Sequence, residues 1–492
     1  MKEKLKRLLR SFWFQVGALC FVSALAVTLR LLLLPTIGRY QTSPFFAFIE
    51  PYVGPYTALP LIAFAAFFLT RSLFFRLRPP LKFAYGVLAF LVFTVTVNMA
   101  LGGVDKVLPG ALWQYCHDAG ILYGHGNFLR DYHVWVEGLH WHANVHPPGV
   151  FVYLYPLLKL FPGDWTCIAL ANALIAGAGG FFVYKAAERL YGGDAKFGAA
   201  ALYVATPSLL LYGSTIDAVL CSLGAFVIYL LAFYFTAPRF ELAAVTGFVL
   251  AAGTFVAYQF GFIWLLVFTA TAICTVYARR YVPAGDSGTG PSTVADAAPV
   301  SPAPCRPAAR IWVLMAVAVA VFCLFFVAIY FLSGFNVITE FGYQQAASER
   351  YYGAGVNVMY LIKHYVFGAP AYKGEHRSAL LWIPGNFIAF LFLLGPTTTV
   401  LFIRNLYNDV KTKRGHTGGF IMSLAAAVSY ILINLSGLTL AETERVYLFM
   451  VPWFLVGSGY YLMEKRPRLL YPVLITNLAI TWLFVVFLRH IK

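Results

Sequence analysis

The chain has 492 residues, of which 60% are hydrophobic and 11% charged, and its formal net charge is +16. Apolar runs long enough to cross a bilayer as helices recur from end to end, which excludes a water-soluble enzyme and implies an all-α polytopic membrane protein. The Lys and Arg residues lie in short clusters between those runs, so they report membrane topology and give no ground for a nucleic-acid partner.

In chain order, the charged start "MKEKLKRLLR" leads into an apolar run from Phe12 to Leu34, too long for a signal peptide and read as a retained first span. Further candidate spans fall at 52–70, 83–101, 148–162, 166–184, 197–212, 216–235, 240–258, 260–278, 311–333, 379–402, 418–436, 446–463 and 469–488. The basic connections Arg71–Lys82, Arg404–Arg414 and Lys465–Arg468 belong in the cytoplasm with the N-terminus. The loop 102–147 and the segment "SGLTLAETERVY" then share the outer side. Parity between that loop and the Arg-flanked linker at 283–310 requires one of the six intervening candidates not to cross. Suspicion falls on 148–162, which reaches only about 22 Å at 1.5 Å per residue, and on the short pair within 197–235. The expectation is about 13 transmembrane helices: a two-span extension at 1–82, then a core at 83–492 interrupted by a disordered cytoplasmic linker at 283–310.

Chemistry concentrates in the outer loop. It holds Asp105, Asp118, Asp131 and Glu137, four of only 20 acidic residues, and six of the ten histidines, at 117, 125, 133, 140, 142 and 146. Such residues titrate or bind metals, whereas an ordinary wet loop draws on Lys, Ser and Asn. His140, His142 and His146 with Glu137 have the donor types for a metal, but their spacing alone does not close a site, and packing or hydrogen bonding at the interface is favoured. Pro147 and Pro148 bar helix at that point and start the next one, holding His146 at the mouth of a span.

The run "DAGILYGHGNFLRDYHVWVEGLHWHANVHPPGVFVYLYPLL" resembles the first outer loop of GT-C-type integral-membrane glycosyltransferases, in particular the dolichyl-phosphate-mannose protein mannosyltransferase family and its prokaryotic relatives. Asp118, then "GNFLRDY", then "HPPG" carry the match, and "ETERVYLFMVPW" is a second. The family's adjacent Asp-Glu is broken here, because Ala119 follows Asp118, and the first two spans have no counterpart. The resemblance implies a GT-C-like fold with a large first core loop. It also implies inverting transfer of a sugar from a polyprenyl-phosphate carrier to an acceptor hydroxyl on a protein, lipid or glycan at the non-cytoplasmic face, which is the plasma membrane's outer face in a prokaryote.

Such a transfer needs a carboxylate to take the hydroxyl proton and a cation to steady the departing phosphate. Asp118 is the first choice for the base, Asp131 the second and Asp105 the third; His146 either orients donor or acceptor or only caps the hinge. Arg445 is the choice for the phosphate, the alternative being an arginine that snorkels from a span end with Glu442 or Glu444 as surface partner. Glu442 and Glu444 are substrate-binding candidates with it, as are Arg350 and Lys363, which with Tyr351 reach toward phosphate or sugar from an interfacial segment at 342–368. Asp217 reads as an end-of-span residue. A divalent metal is allowed and not demanded. The rival readings are a transporter or flippase of a lipid-linked saccharide, disfavoured because the charge sits at the membrane edges, and a metal-dependent hydrolase.

Overall fold

The structure, a computed structural model, describes residues 11–33, 47–49, 53–102, 112–140, 143–280, 308–352, 379–412, 417–436 and 443–490. The first helices are α1 (Phe12–Leu33), α2 (Leu59–Leu69), α3 (Arg71–Arg76) and α4 (Pro79–Gly102). The polar segment that follows folds into α5 (Trp113–Tyr123), α6 (Tyr132–Trp135) and two single 3-10 turns, Val136–Gly138 and Ala143–Val145. Then come α7 (Gly149–Leu160), α8 (Trp165–Tyr191), α9 (Ala195–Val204), α10 (Pro207–Tyr212), α11 (Ile216–Thr236), α12 (Phe240–Val256) and α13 (Ile263–Arg280). Beyond the linker follow α14 (Ala308–Ser333), α15 (Val337–Tyr352), α16 (Ala379–Leu393), α17 (Pro396–Lys411), α18 (Gly418–Leu435), α19 (Thr443–Val446), α20 (Val451–Lys465) and α21 (Leu470–Phe487). A short antiparallel ribbon joins β1 (Ala47–Ile49) to β2 (Leu488–His490), pairing Phe48 with Arg489.

Among the described residues seven helical segments are long and apolar enough to cross a membrane, or eight if the bent pair α16–α17 is one span. The chain is an integral, multi-pass helical membrane protein. Three spans read as single runs are divided or shortened. Within 379–402, Gly395 adopts φ +104 and Pro396 lacks an N–H to continue the ladder, so α16 and α17 meet at 99°. Within 197–212, Pro207 forces Thr206 into extended backbone, which separates α9 from α10. The run at 52–70 yields only the 11-residue α2. Helix α7, with 12 residues, reaches only about 18 Å.

At the centre stands α11, the most thoroughly buried of the long apolar helices, packed on α8, α12 and α20. Small residues allow the close approach: a Cβ on Gly224 of α11 would run into the Phe449 carbonyl, and one on Gly198 of α9 would press on Gly459 of α20. The N-terminal stretch is docked on the C-terminal part. Arg404 Nε donates to Gln15 Oε1 at 2.8 Å, and Trp482 Nε1 donates to the Thr57 carbonyl at 3.0 Å. Most of the linker, residues 281–307, lies outside the described residues, and α14 takes up the chain from Ala308.

Candidate active site

The segment between α4 and α7 carries its own apolar core. Helix α5 turns Tyr115, Cys116, Ala119 and Leu122 inward, where they meet Phe128, Tyr132, Val136 and Ala143 above Val150, Phe151 and Leu154 of α7. That spacing is the helical period applied to a stretch whose polar residues dominate a plain reading. Burying this face also buries Asp118, which is only 1% exposed.

A buried carboxylate must be hydrogen-bonded, and Asp118 is bonded through both oxygens by one residue. The His140 backbone N–H donates to Oδ2 at 2.8 Å, and His140 Nδ1 lies 2.6 Å from Oδ1. His117 Nδ1 approaches Oδ1 at 3.4 Å, and the rings of His117 and His140 meet edge to face at 5.0 Å. One ligand atom from each of His117, Asp118 and His140 lies within 4.8 Å of the others. Two imidazoles and a carboxylate form a donor set suited to a divalent transition ion with an open position.

His146 occupies the hinge. Its carbonyl accepts from Tyr132 Oη and from Gln344 Nε2, each at 2.8 Å, which anchors the backbone just where Pro147 offers no N–H. Pro148 caps α7 at φ −66, and a Cβ on Gly149 would overlap the Phe255 carbonyl, so the glycine of "HPPG" lets α7 start against the end of α12. The imidazole bonds to the Val256 backbone and stands edge-on to Tyr115 at 5.3 Å. Burial first, and then the nearby positive charge of Arg445, push its pKa down to about 4. His146 is therefore neutral at physiological pH, and its Nδ1 has no hydrogen-bond partner among the described residues.

Arg445, on α19, lies 3.4 Å from Asp217 in the first turn of α11. Asp217, read as a mere span end, is thus one partner of Arg445; Glu442 and the side chain of Glu444 lie outside the described residues. Because Arg445 acts on His146, and Tyr115 sits one turn before Asp118 on α5, the two distant motifs converge around His146.

Helix α15 supplies residues that the sequence did not single out. It packs on α6 and on the 143–145 turn, presenting Glu340 and Gln344 from one face. Glu340 Oε1 accepts from the His133 backbone N–H at 3.0 Å and lies 3.2 Å from His133 Nδ1, while Oε2 is buried with no partner among the described residues. Burial raises the Glu340 pKa against the opposing pull of His133. Tyr132, fully buried between these groups, is pushed well above the usual phenol range by burial and by Tyr258, Glu340, Asp118 and Tyr115 around it.

Of the other expected residues, Asp131 heads α6 exposed and makes no side-chain cap bond. Asp105, His142 and Lys363 lie outside the described residues, as do the side chains of Glu137, Arg350 and Tyr351. His140 and His146 turn to different partners and do not share a ligand sphere. His140 was legible as a histidine in a rich loop, but its partner was not. Glu340 offered a weaker signal, a rare acid spaced four residues from Gln344 at the start of a helix.

No family model matches the sequence. No curated protein matches it either. Among solved structures, the chain is similar to ArnT from Cupriavidus metallidurans bound to undecaprenyl phosphate, with TM-score 0.49 and 13% identity over 79% of this chain and 60% of that one. The apo form of the same protein gives TM-score 0.46 at 13% identity, covering 74% of this chain and 56% of ArnT. The oligosaccharyltransferase of Archaeoglobus fulgidus, in complex with Zn and sulfate, gives TM-score 0.35 at 13% identity over 71% and 45% of the two chains. The chain thus spans between about half and three-fifths of the length of the structures it resembles.

Proposed function

We propose that this protein is a GT-C-type glycosyltransferase that moves a sugar, with inversion, from a polyprenyl-phosphate carrier to an acceptor hydroxyl at the non-cytoplasmic face. The observation that supports the reading is that His146, which feels the charge of Arg445, stands edge-on to Tyr115, one turn before Asp118 on α5. The reaction requires a proton acceptor and a phosphate-binding cation in one site, and the Asp118–His140 and Arg445–Asp217 pairs provide both. The acceptor oxygen attacks the anomeric carbon and passes its proton to the Asp118–His140 pair, in which each partner holds the other's orientation. The bond from that carbon to the phosphate oxygen breaks, and the polyprenyl phosphate leaves with the electron pair toward the Arg445 guanidinium, whose planar fork suits phosphate oxygens. Asp217 keeps Arg445 aimed. Neutral His146, close to Arg445, adds no competing charge and offers Nδ1 as an acceptor for a donor or acceptor hydroxyl.

A divalent ion held by His117, Asp118 and His140 would supply Lewis-acid polarisation of an oxygen at that position. The test is transfer from labelled polyprenyl-phosphate mannose, glucose and arabinose by purified protein in lipid, with Asp118→Asn alongside. Transfer from one carrier, lost in the variant while the carrier still binds, supports the proposal. Carrier movement across the bilayer with no transfer from any of the three overturns it in favour of a transporter.

A further inference from the structure

At the far end of α20 from Arg445, about 22 Å along that helix, the chain forms a second polar feature that the proposed reaction does not use. A cavity of about 460 Å³ is lined by Ser11, Phe12 and Trp13 at the head of α1, by Arg404 of α17, and by Lys465, Arg466, Pro467, Arg468 and Leu469 at the turn between α20 and α21. Two basic segments that the sequence places on the cytoplasmic side, around Arg404 and at Lys465–Arg468, meet in this one hollow beside the head of α1. Among the described residues four cationic side chains line it and no carboxylate does, although Glu464 lies 3.9 Å from Lys465 beside it. Arg404 is braced by Gln15 and lies over the Phe12 ring at 5.4 Å, a fixed geometry rather than a waving surface cation.

The chemistry of such a lining is that of a phosphate receptor. Two observations choose a lipid over a soluble anion. Trp13 is 43% exposed beside the cations, as an interfacial anchor would be. Helix α17, which contributes Arg404, also exposes Ile403, Tyr407 and Val410, an apolar stripe at i, i+4 and i+7 that suits acyl chains. We propose that this pocket binds the phosphate headgroup of an anionic membrane phospholipid and ties α1, α17 and the α20–α21 turn together. Basic pockets between membrane helices on the cytoplasmic side have this use in general.

The experiment is thermal unfolding of the full-length protein in detergent, titrated with phosphatidylglycerol, phosphatidylcholine or inorganic phosphate. Wild type is expected to be stabilised by phosphatidylglycerol at a concentration at least tenfold lower than by phosphatidylcholine, and not by millimolar inorganic phosphate. The double variant Arg466→Gln, Arg468→Gln loses that preference about tenfold, whereas Arg76→Gln, Arg78→Gln, which removes the same charge elsewhere, keeps it. If the pocket variant does not fold, Arg404→Gln serves in its place. Equal stabilisation by both lipids, equal protection by inorganic phosphate, or equal loss in the two double variants overturns the proposal. The readout does not depend on glycosyl transfer.

Discussion

Two carboxylate–histidine pairs in this protein are built alike, yet their acids are bonded differently. In each, one histidine gives both its backbone N–H and its Nδ1 side to a buried acid: His140 to Asp118, and His133 to Glu340. Asp118 spends one oxygen on each contact, so both oxygens are satisfied. Glu340 receives both contacts on Oε1 and leaves Oε2 buried and unpartnered, and its pKa rises. The two acids are buried alike, so the lesson is that the motif does not set how well an acid is satisfied; the number of hydrogen bonds reaching each oxygen does. An under-bonded buried carboxyl such as Glu340 is suited to hold a proton.

The largest break in this comparison should come from Asp118→Asn, which we expect to lower transfer about 100- to 10,000-fold in a labelled-sugar assay, while Glu340→Gln leaves most activity. Equal losses would show the pairs to be equivalent and our assignment wrong. Arg445→Lys is expected to cost about 100- to 1,000-fold, because an ammonium cannot grip two oxygens in the guanidinium's plane, and steady-state kinetics should place the loss in kcat as well as KM.

Stability against pH sharpens the contrast further. His146 refuses a proton in the fold until about pH 4 but takes one near pH 6.5 when unfolded, so its contribution is complete above that range and falls as pH drops through it. The loss amounts to roughly 3 kcal/mol at most, and His146→Gln should flatten the acid side of the unfolding curve. Gly149→Ala, by driving a methyl into the Phe255 carbonyl, should destabilise by about 1–3 kcal/mol and shift the hinge that carries His146; an unchanged melting temperature would contradict the close packing. The smallest effect belongs to Glu340→Gln. A raised carboxyl pKa stabilises below the unfolded value and loses that benefit as pH climbs through the folded one, so the variant should narrow the difference in melting temperature between pH 5 and pH 8.

Much of the fold was legible because bilayer crossing is written locally: a long apolar run is a span whatever its neighbours, and helices such as α8, α11 and α18 fall where the runs do. The breaks at Gly395–Pro396 and Thr206–Pro207 were also written in the chain but are outvoted by the surrounding hydrophobicity. The site divides in the same way. Asp118, His146 and Arg445 stood out as scarce polar residues at the membrane edge, whereas Glu340 and Gln344 looked like ordinary members of an amphipathic helix.

By itself the sequence determined that this is a many-helix membrane protein whose titratable residues gather in one extramembrane segment, since hydrophobicity and charge act through the solvent each stretch must face. Only the tertiary structure decided the partnerships. Asp118 meets His140 across 22 residues and Glu340 meets His133 across 207, while Arg445 finds Asp217 on the central helix. Contacts over such separations depend on how helices pack, and packing is set by shapes meeting in three dimensions, which no local pattern in the chain records.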